Sequence, residues 1–253
     1  MRKFVVLGAT GKTGRLVTRE LARGKHRVTA VVRSRENCLT ECLKEDVVLV
    51  DQVEGTVLGM ESEGEVEGLV KDCDAVLICL GHTLTMAGVF GAPRRLVRDT
   101  VKRVAKALGS SGARGKKKKI ILMNSNGVRN KLLVENYPWH ERMLLGLLYF
   151  ALPPHADNVE ASEYLTMEVA KEHPEIEWVC VRPGDLLDGE EHSNYGVSPS
   201  PAEKHGGPVL GSAKTSRYQV AHFMASLATN DKLWDEWKGK TPAIYNEGEE
   251  TEG

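Results

Sequence analysis

The chain has 253 residues, of which 41% are hydrophobic and 27% charged, a balance that fits a globular protein and excludes wholesale disorder. With 34 basic against 35 acidic residues the net charge is -1, so no global positive field points to nucleic acid. The longest apolar run, Met143 to Leu152, is about half of the roughly 20 residues that span a bilayer; five cysteines and no export signal read as reduced thiols of a cytoplasmic protein.

Phe4-Val5-Val6-Leu7 is a continuous apolar run ending in Gly8, as expected of a strand buried on both faces. A helical pattern of Leu16, Val17 and Leu21 follows and stops at Gly24. Further strands are predicted at Val28–Val32, Val47–Val50, Ala75–Leu80, Ile120–Met123 and Trp178–Val181. Between the fourth and fifth, Leu96, Val97, Thr100, Val101, Val104, Ala105 and Leu108 lay one apolar stripe on a helix that Gly109 would end. Lys116 to Lys119 reads as a solvated turn. Tyr137-Pro138-Trp139 and Met143 to Leu152 form an insertion that, as a helix, is apolar all round. It must be buried against the domain, under a pocket or across a subunit interface, which suggests a homodimer. A helix begins near Asp157, whose side chain is placed to cap Val159 and Glu160.

Short buried strands alternating with amphipathic helices specify an α/β protein with a doubly wound parallel sheet, the Rossmann fold. The expected strand order is 3-2-1-4-5-6, with a seventh near Ile244. One domain would cover 1–246, with substrate-side insertions at about 130–156 and 189–208; the Gly-, Pro- and Ser-rich second insertion reads as a mobile loop, and 247–253 as an acidic tail.

Gly8-Ala9-Thr10-Gly11-Lys12-Thr13-Gly14 is a G-x-x-G-x-x-G loop between a buried strand and a helix. A missing Cβ lets the backbone approach a pyrophosphate, and the free N–H groups and dipole of the helix start attract that anion. The loop therefore points to a dinucleotide. The second strand leads into Arg33, Ser34 and Arg35 rather than a carboxylate. A carboxylate there holds a ribose 2′-OH, whereas the guanidinium fork suits a 2′-phosphate, so NADP(H) is expected over NAD(H).

With the loop, Arg33 and Arg182-Pro183-Gly184, the chain resembles the atypical short-chain dehydrogenase/reductases of the NmrA-like NAD(P)-binding group, similar in plan to the flavin reductase/biliverdin reductase B type. Asp51, Leu80-Gly81, Ser125 and Ala221-His222-Phe223-Met224 share in the resemblance. It implies that Gly8, Thr10, Gly11, Lys12, Thr13 and Gly14 wrap the pyrophosphate and that Arg33 holds the 2′-phosphate. Asp51 and Gln52, after strand three, would flank the adenine. Leu80, Gly81 and His82 would line the ribose, with Ser125 and Pro183 on either side of the nicotinamide. The larger group pairs a Tyr with a Lys four residues on, which lowers the phenol pKa. Here Tyr137, Tyr164 and Tyr218 are followed at that spacing by Glu141, Glu168 and His222, and no Tyr has the Lys. The function implied is an NADPH-dependent reduction of a small conjugated acceptor such as a flavin or quinone, or else redox sensing with little turnover. Ser125 and His155, which follows Pro153-Pro154, are the catalytic candidates. Cys38 and Cys42 lack partners at metal-ligand spacing, so no metal is expected.

Overall fold

The computed structural model describes residues 1–34, 39, 43, 48–82, 85–110, 117–133, 135, 137–188, 194–201 and 214–246. Cys38, Cys42, Lys116, the tail 247–253 and most of 189–208 lie outside them.

In chain order the main elements begin with β1 (Lys3–Leu7), α1 (Gly14–Arg23), β2 (Arg27–Val32), β3 (Val50–Glu54) and α2 (Glu63–Val70). Next come β4 (Ala75–Ile78), the short α3 (Met86–Phe90), α4 (Leu96–Ser110), β5 (Lys118–Met123) and α5 (Trp139–Ala151). Then α6 starts at Pro153 and reaches Glu172 through a π-helical stretch, Tyr164–Val169. After it come β6 (Ile176–Pro183), β7 (Asp185–Leu187), β8 (Tyr195–Ser198), β9 (Lys214–Ser216), α7 (Arg217–Thr229), α8 (Asp231–Trp237) and β10 (Ala243–Asn246).

The large sheet has the order β3-β2-β1-β4-β5-β6-β10-β8, so the expected order 3-2-1-4-5-6 and the seventh strand at Ile244 are present. All pairings are parallel except β10 with β8. Alternation along β1 explains the layering. Phe4 and Val6 join a core with α1 and α7 on one face; Val5 and Leu7 join a core with α2, α4 and α6 on the other. Both faces are therefore dry, and the polar ends of the strands carry the chemistry.

Several expectations need correction. Val47 of the expected third strand lies outside the described residues; β3 starts at Val50 and continues past it, with the polar Asp51 and Gln52 as strand residues whose backbones are in register against Thr29 and Ala30. The helix α4 runs through Gly109 to Ser110; a Cβ there would sit 2.7 Å from the His173 ring, so that glycine serves close packing rather than termination. The α6 helix opens at Pro153, a residue suited to the first turn of a helix, and so four residues before Asp157. Lys118 and Lys119 belong to β5 rather than to a solvated turn: the Lys118 ammonium donates to the Lys71 and Cys73 carbonyls, and Lys119 is buried with its ammonium 4.6 Å from the Trp234 ring centre. Part of the second insertion is β8, an edge strand rather than a loop. The apolar insertion forms α5, yet only one side of it is buried: Glu141 and Leu145 face inward while Trp139, Met143, Leu147 and Phe150 face outward.

Candidate functional site

The carboxyl ends of β1, β2, β3 and β4 open on a cavity of about 250 Å³. Its floor is the glycine loop. Gly8 has φ +78°, and a Cβ on it would stand 2.6 Å from the Cys79 carbonyl oxygen of the neighbouring strand end. A Cβ on Gly14 would fall on the Gly8 carbonyl. These two glycines let loop, helix and sheet close up. Gly11 differs: a Cβ there would meet only the Gly8 oxygen, at 3.2 Å, and Gly11 itself lines the cavity. At the start of α1 the N-cap residue Thr13 makes no side-chain cap, but Arg15 N, Leu16 N and Val17 N already donate to the Gly11 and Thr13 carbonyls at 3.0 Å, so an anion would be met by the loop ahead of Arg15 and by the dipole of the helix start. A cradle that a Cβ at Gly11 would fill, beside an uncapped helix N-terminus, fits a pyrophosphate.

Of the residues singled out from the sequence, Gly8, Thr10, Gly11, Arg33, Leu80, Gly81 and His82 line this cavity. Arg33 is exposed at the end of β2. His82 is held at both ring nitrogens: Nδ1 lies 3.1 Å from the Gly88 carbonyl, which can only accept, and Nε2 lies 2.8 Å from Asp157 Oδ2. Asp157 is fully buried and does not cap its own helix. It caps α4 instead, accepting from Val97 N at 2.8 Å and Arg98 N at 2.9 Å. One carboxylate thus fixes both the start of α4 and the cavity wall at His82.

Other expected site residues stand elsewhere. Thr13 and Gly14 form the helix start beneath the loop. Lys12 points outward, its ammonium 3.0 Å from Asp188, whose carboxyl is held below its ordinary range by Lys12 first and by Arg217. Asp51 and Gln52 are inside β3, at the level of Thr29 and Ala30, and do not line the cavity. The residues that follow β3, Gly55, Thr56 and Val57, line it instead. Ser125 and Pro183 sit beyond the cavity at the carboxyl ends of β5 and β6, tied together by Asn126 N donating to the Pro183 carbonyl at 2.9 Å. The Ser125 hydroxyl accepts from Gly127 N at 3.3 Å, a turn contact. His155 lies in the first turn of α6 and faces α5, where the Leu145 carbonyl bonds it; burial pushes its pKa down. It neither lines the cavity nor lies on an exposed loop.

A protein-family model described as NAD(P)H-binding matches residues 8–231, from the glycine loop into the start of α8. The chain belongs to this NAD(P)H-binding family. The membership agrees with the resemblance to the atypical short-chain dehydrogenase/reductases carried by the loop, Arg33 and Arg182-Pro183-Gly184. A search of curated protein sequences finds no significant match. Solved structures share the fold over nearly the whole NAD(P)H-binding chain. One is a Bacillus halodurans protein provisionally described as an NAD-dependent epimerase/dehydratase, at 22% identity, TM-score 0.65, covering 97% of this chain and 94% of that one. Another is the anaerobilin reductase of Escherichia coli O157:H7, at 16% identity, TM-score 0.64 and 97% of each chain. A third, from Streptococcus pneumoniae and provisionally described as an NADH-flavin reductase, has 15% identity, TM-score 0.62 and coverage of 97% and 100%.

Sequence reasoning missed two long-range ties, one behind the cavity wall and one at the carboxyl ends of β5 and β6. Asp157 looks like a local cap, and nothing in its neighbourhood announces a bond to backbone about 60 residues earlier. The other is Arg182, fully buried against Glu135 at 2.8 Å. Its remaining donors reach the carbonyls of Val128 at 3.0 Å, Thr241 at 2.7 Å and Pro199 at 3.1 Å. One guanidinium thereby ties together the loop after β5, the approach to β10 and the exit of β8. The sequence marked Arg182 only through the Arg182-Pro183-Gly184 motif after an apolar run, which says nothing about its partner.

Proposed function

We propose that this NAD(P)H-binding protein is an NADPH-dependent reductase that passes hydride to a small conjugated acceptor such as a flavin or quinone. The observation that carries the reading is Arg33, which lines the cavity where β2 ends and is followed by Ser34 rather than a carboxylate. A guanidinium there matches the 2′-phosphate that distinguishes NADPH from NADH. In this reading the N–H groups of the loop and of α1 hold the pyrophosphate, Gly55 to Val57 border the adenine, and Leu80, Gly81 and His82 border its ribose. The nicotinamide end reaches Ser125 and Pro183. NADPH, when bound, supplies the hydride.

The protein's own groups then decide which acceptor suits it. Reducing a simple ketone creates an alkoxide that needs a positioned acid. Burial, first of all, pushes the Tyr137, Tyr164 and Tyr195 phenols above their ordinary pKa, and no lysine stands four residues on from any tyrosine. Tyr137 also spends its hydroxyl on the Asn126 carbonyl, at 2.9 Å. Ser125 can orient a carbonyl or amide but gives up a proton reluctantly. A conjugated acceptor spreads its negative charge over a ring system and takes its proton from water, so it removes the need for that acid.

Steady-state oxidation of NADPH in the presence of flavins, quinones and aliphatic ketones tests the proposal. Turnover with the first two classes and little with the third is expected. Rapid ketone reduction would contradict it. NADPH binding without turnover of any class would favour a redox sensor, a reading that the missing acid also supports.

A further inference from the structure

The α5 helix is attached to the body along a narrow strip. Leu145 packs in a small cluster of its own with Tyr137 and Leu148, and Glu141 is buried one turn earlier. The opposite side is open and apolar: Trp139 is 73% exposed, Met143 66%, Leu147 64% and Phe150 85%. The polar residues on it are His140 and Arg142. Trp139 and Phe150 alone expose on the order of 300 Å², which already equals a typical monomer's largest patch of about 300–600 Å². Met143 and Leu147 extend the same face, taking it beyond that range's lower end and toward the scale of about 800 Å² that each partner contributes to a standard interface.

The order of residues on this face says what covers it. Trp139, Met143, Gly146 and Phe150 follow the alternating spacing of four, three and four that defines a straight seam between two helices. Read backwards, the seam still begins and ends on an aromatic ring. Turned about an axis between Met143 and Gly146, it sets Trp139 of one copy against Phe150 of the other. Met143 then enters the notch at Gly146, where a Cβ would have nothing within 4 Å. A parallel pair would instead set Gly146 on Gly146, leaving a void, and bring the two Arg142 side chains together. A membrane surface is the poorer match, because an interfacial helix carries a basic face and α5 has one arginine.

We infer that a second copy of this chain covers the seam, with two α5 helices packed antiparallel about a two-fold axis. The inference does not depend on the cofactor reading. The test is sedimentation velocity of the full chain at micromolar concentrations, with an NADPH titration alongside. The wild type is expected as a dimer. Met143→Glu and Phe150→Glu, both at exposed positions, should give monomers with unchanged melting temperature and unchanged NADPH affinity. Gly146→Leu should weaken association at least tenfold. Register is read by oxidising a mixture of Trp139→Cys and Phe150→Cys chains: the mixed pair should cross-link and neither variant with itself, against wild type as background. A monomeric wild type, a dimer indifferent to both glutamates, or self-linking of either cysteine variant would overturn the proposal. So would a monomer that sediments with phosphatidylcholine/phosphatidylserine vesicles.

Discussion

The two ends of the same sheet edge are built by different means. Around β1 to β4 the cavity wall is mostly backbone and small side chains: the glycine loop, Gly55, Thr56 and Gly81. Around β5 and β6 the loops hang on one buried charge pair, Arg182 with Glu135, and its bonds to three further carbonyls. The first end is shaped for a ligand of fixed form, since backbone N–H groups are set by the fold itself. The second can change its loops as long as the guanidinium keeps its acceptors. Under the proposed function the first end would take the cofactor and the second the acceptor.

Arg182→Met should strike the second end hardest. It leaves Glu135 buried without its partner, a change that costs about 3–5 kcal/mol, and thermal or urea unfolding should show it. Replacing Glu135 with Leu in the same chain should recover much of that loss, because breaking half a buried pair is worse than removing both. A single variant as stable as wild type would show that the network does not hold the loops.

Arg33→Ala should act on the first end and on ligand alone. A charge-assisted contact contributes about 1.5–3 kcal/mol, so NADPH should bind on the order of ten- to a hundredfold more weakly. NADH affinity should hardly move. Equal losses for both cofactors would mean that Arg33 holds something other than the 2′-phosphate.

Asp157→Ala joins stability to binding. Losing the α4 cap should cost about 1–2 kcal/mol, and freeing His82 should weaken cofactor binding as well. Calorimetric unfolding and an affinity measurement on the same sample check both. A stability loss with wild-type affinity would confine Asp157 to capping.

The smallest effect is a pH slope. His155 and His26 both have pKa values pushed below the ordinary 6.5, in each case first by burial. The unfolded rings therefore take up protons first as pH falls. Their contribution is fully present above pH 6.5, is lost as pH drops through the lowered folded values, and then levels off. His155→Gln should flatten that part of the stability profile; an unchanged slope would contradict the burial of its neutral ring.

How much of this was legible in the sequence follows the same division. Buried strands leave continuous apolar runs, so β1, β2 and β4 could be read, and with them the topology and the loop. Strand three was misplaced because Asp51 and Gln52 are polar within a strand near the sheet edge, where pattern misleads. That slip put Asp51 and Gln52 at the strand end, where Gly55, Thr56 and Val57 line the cavity instead. Asp157 and Arg182 escaped for another reason: each acts on backbone that is far away in sequence and near only after folding. For α5 the composition was plain, while the choice of buried side depended on which turn met Tyr137.

The proposed function places a nicotinamide dinucleotide in the cavity floored by Gly11. Fluorescence titration of NADPH onto wild type and Gly11→Val checks that placement, because a side chain at Gly11 would enter the cavity where the proposed pyrophosphate would lie, and would meet the protein within 4 Å only at the Gly8 oxygen. Saturable binding to wild type, and its loss in a Gly11→Val variant that still unfolds cooperatively, is the expected result. A folded Gly11→Val chain that binds NADPH as tightly as wild type would contradict the account.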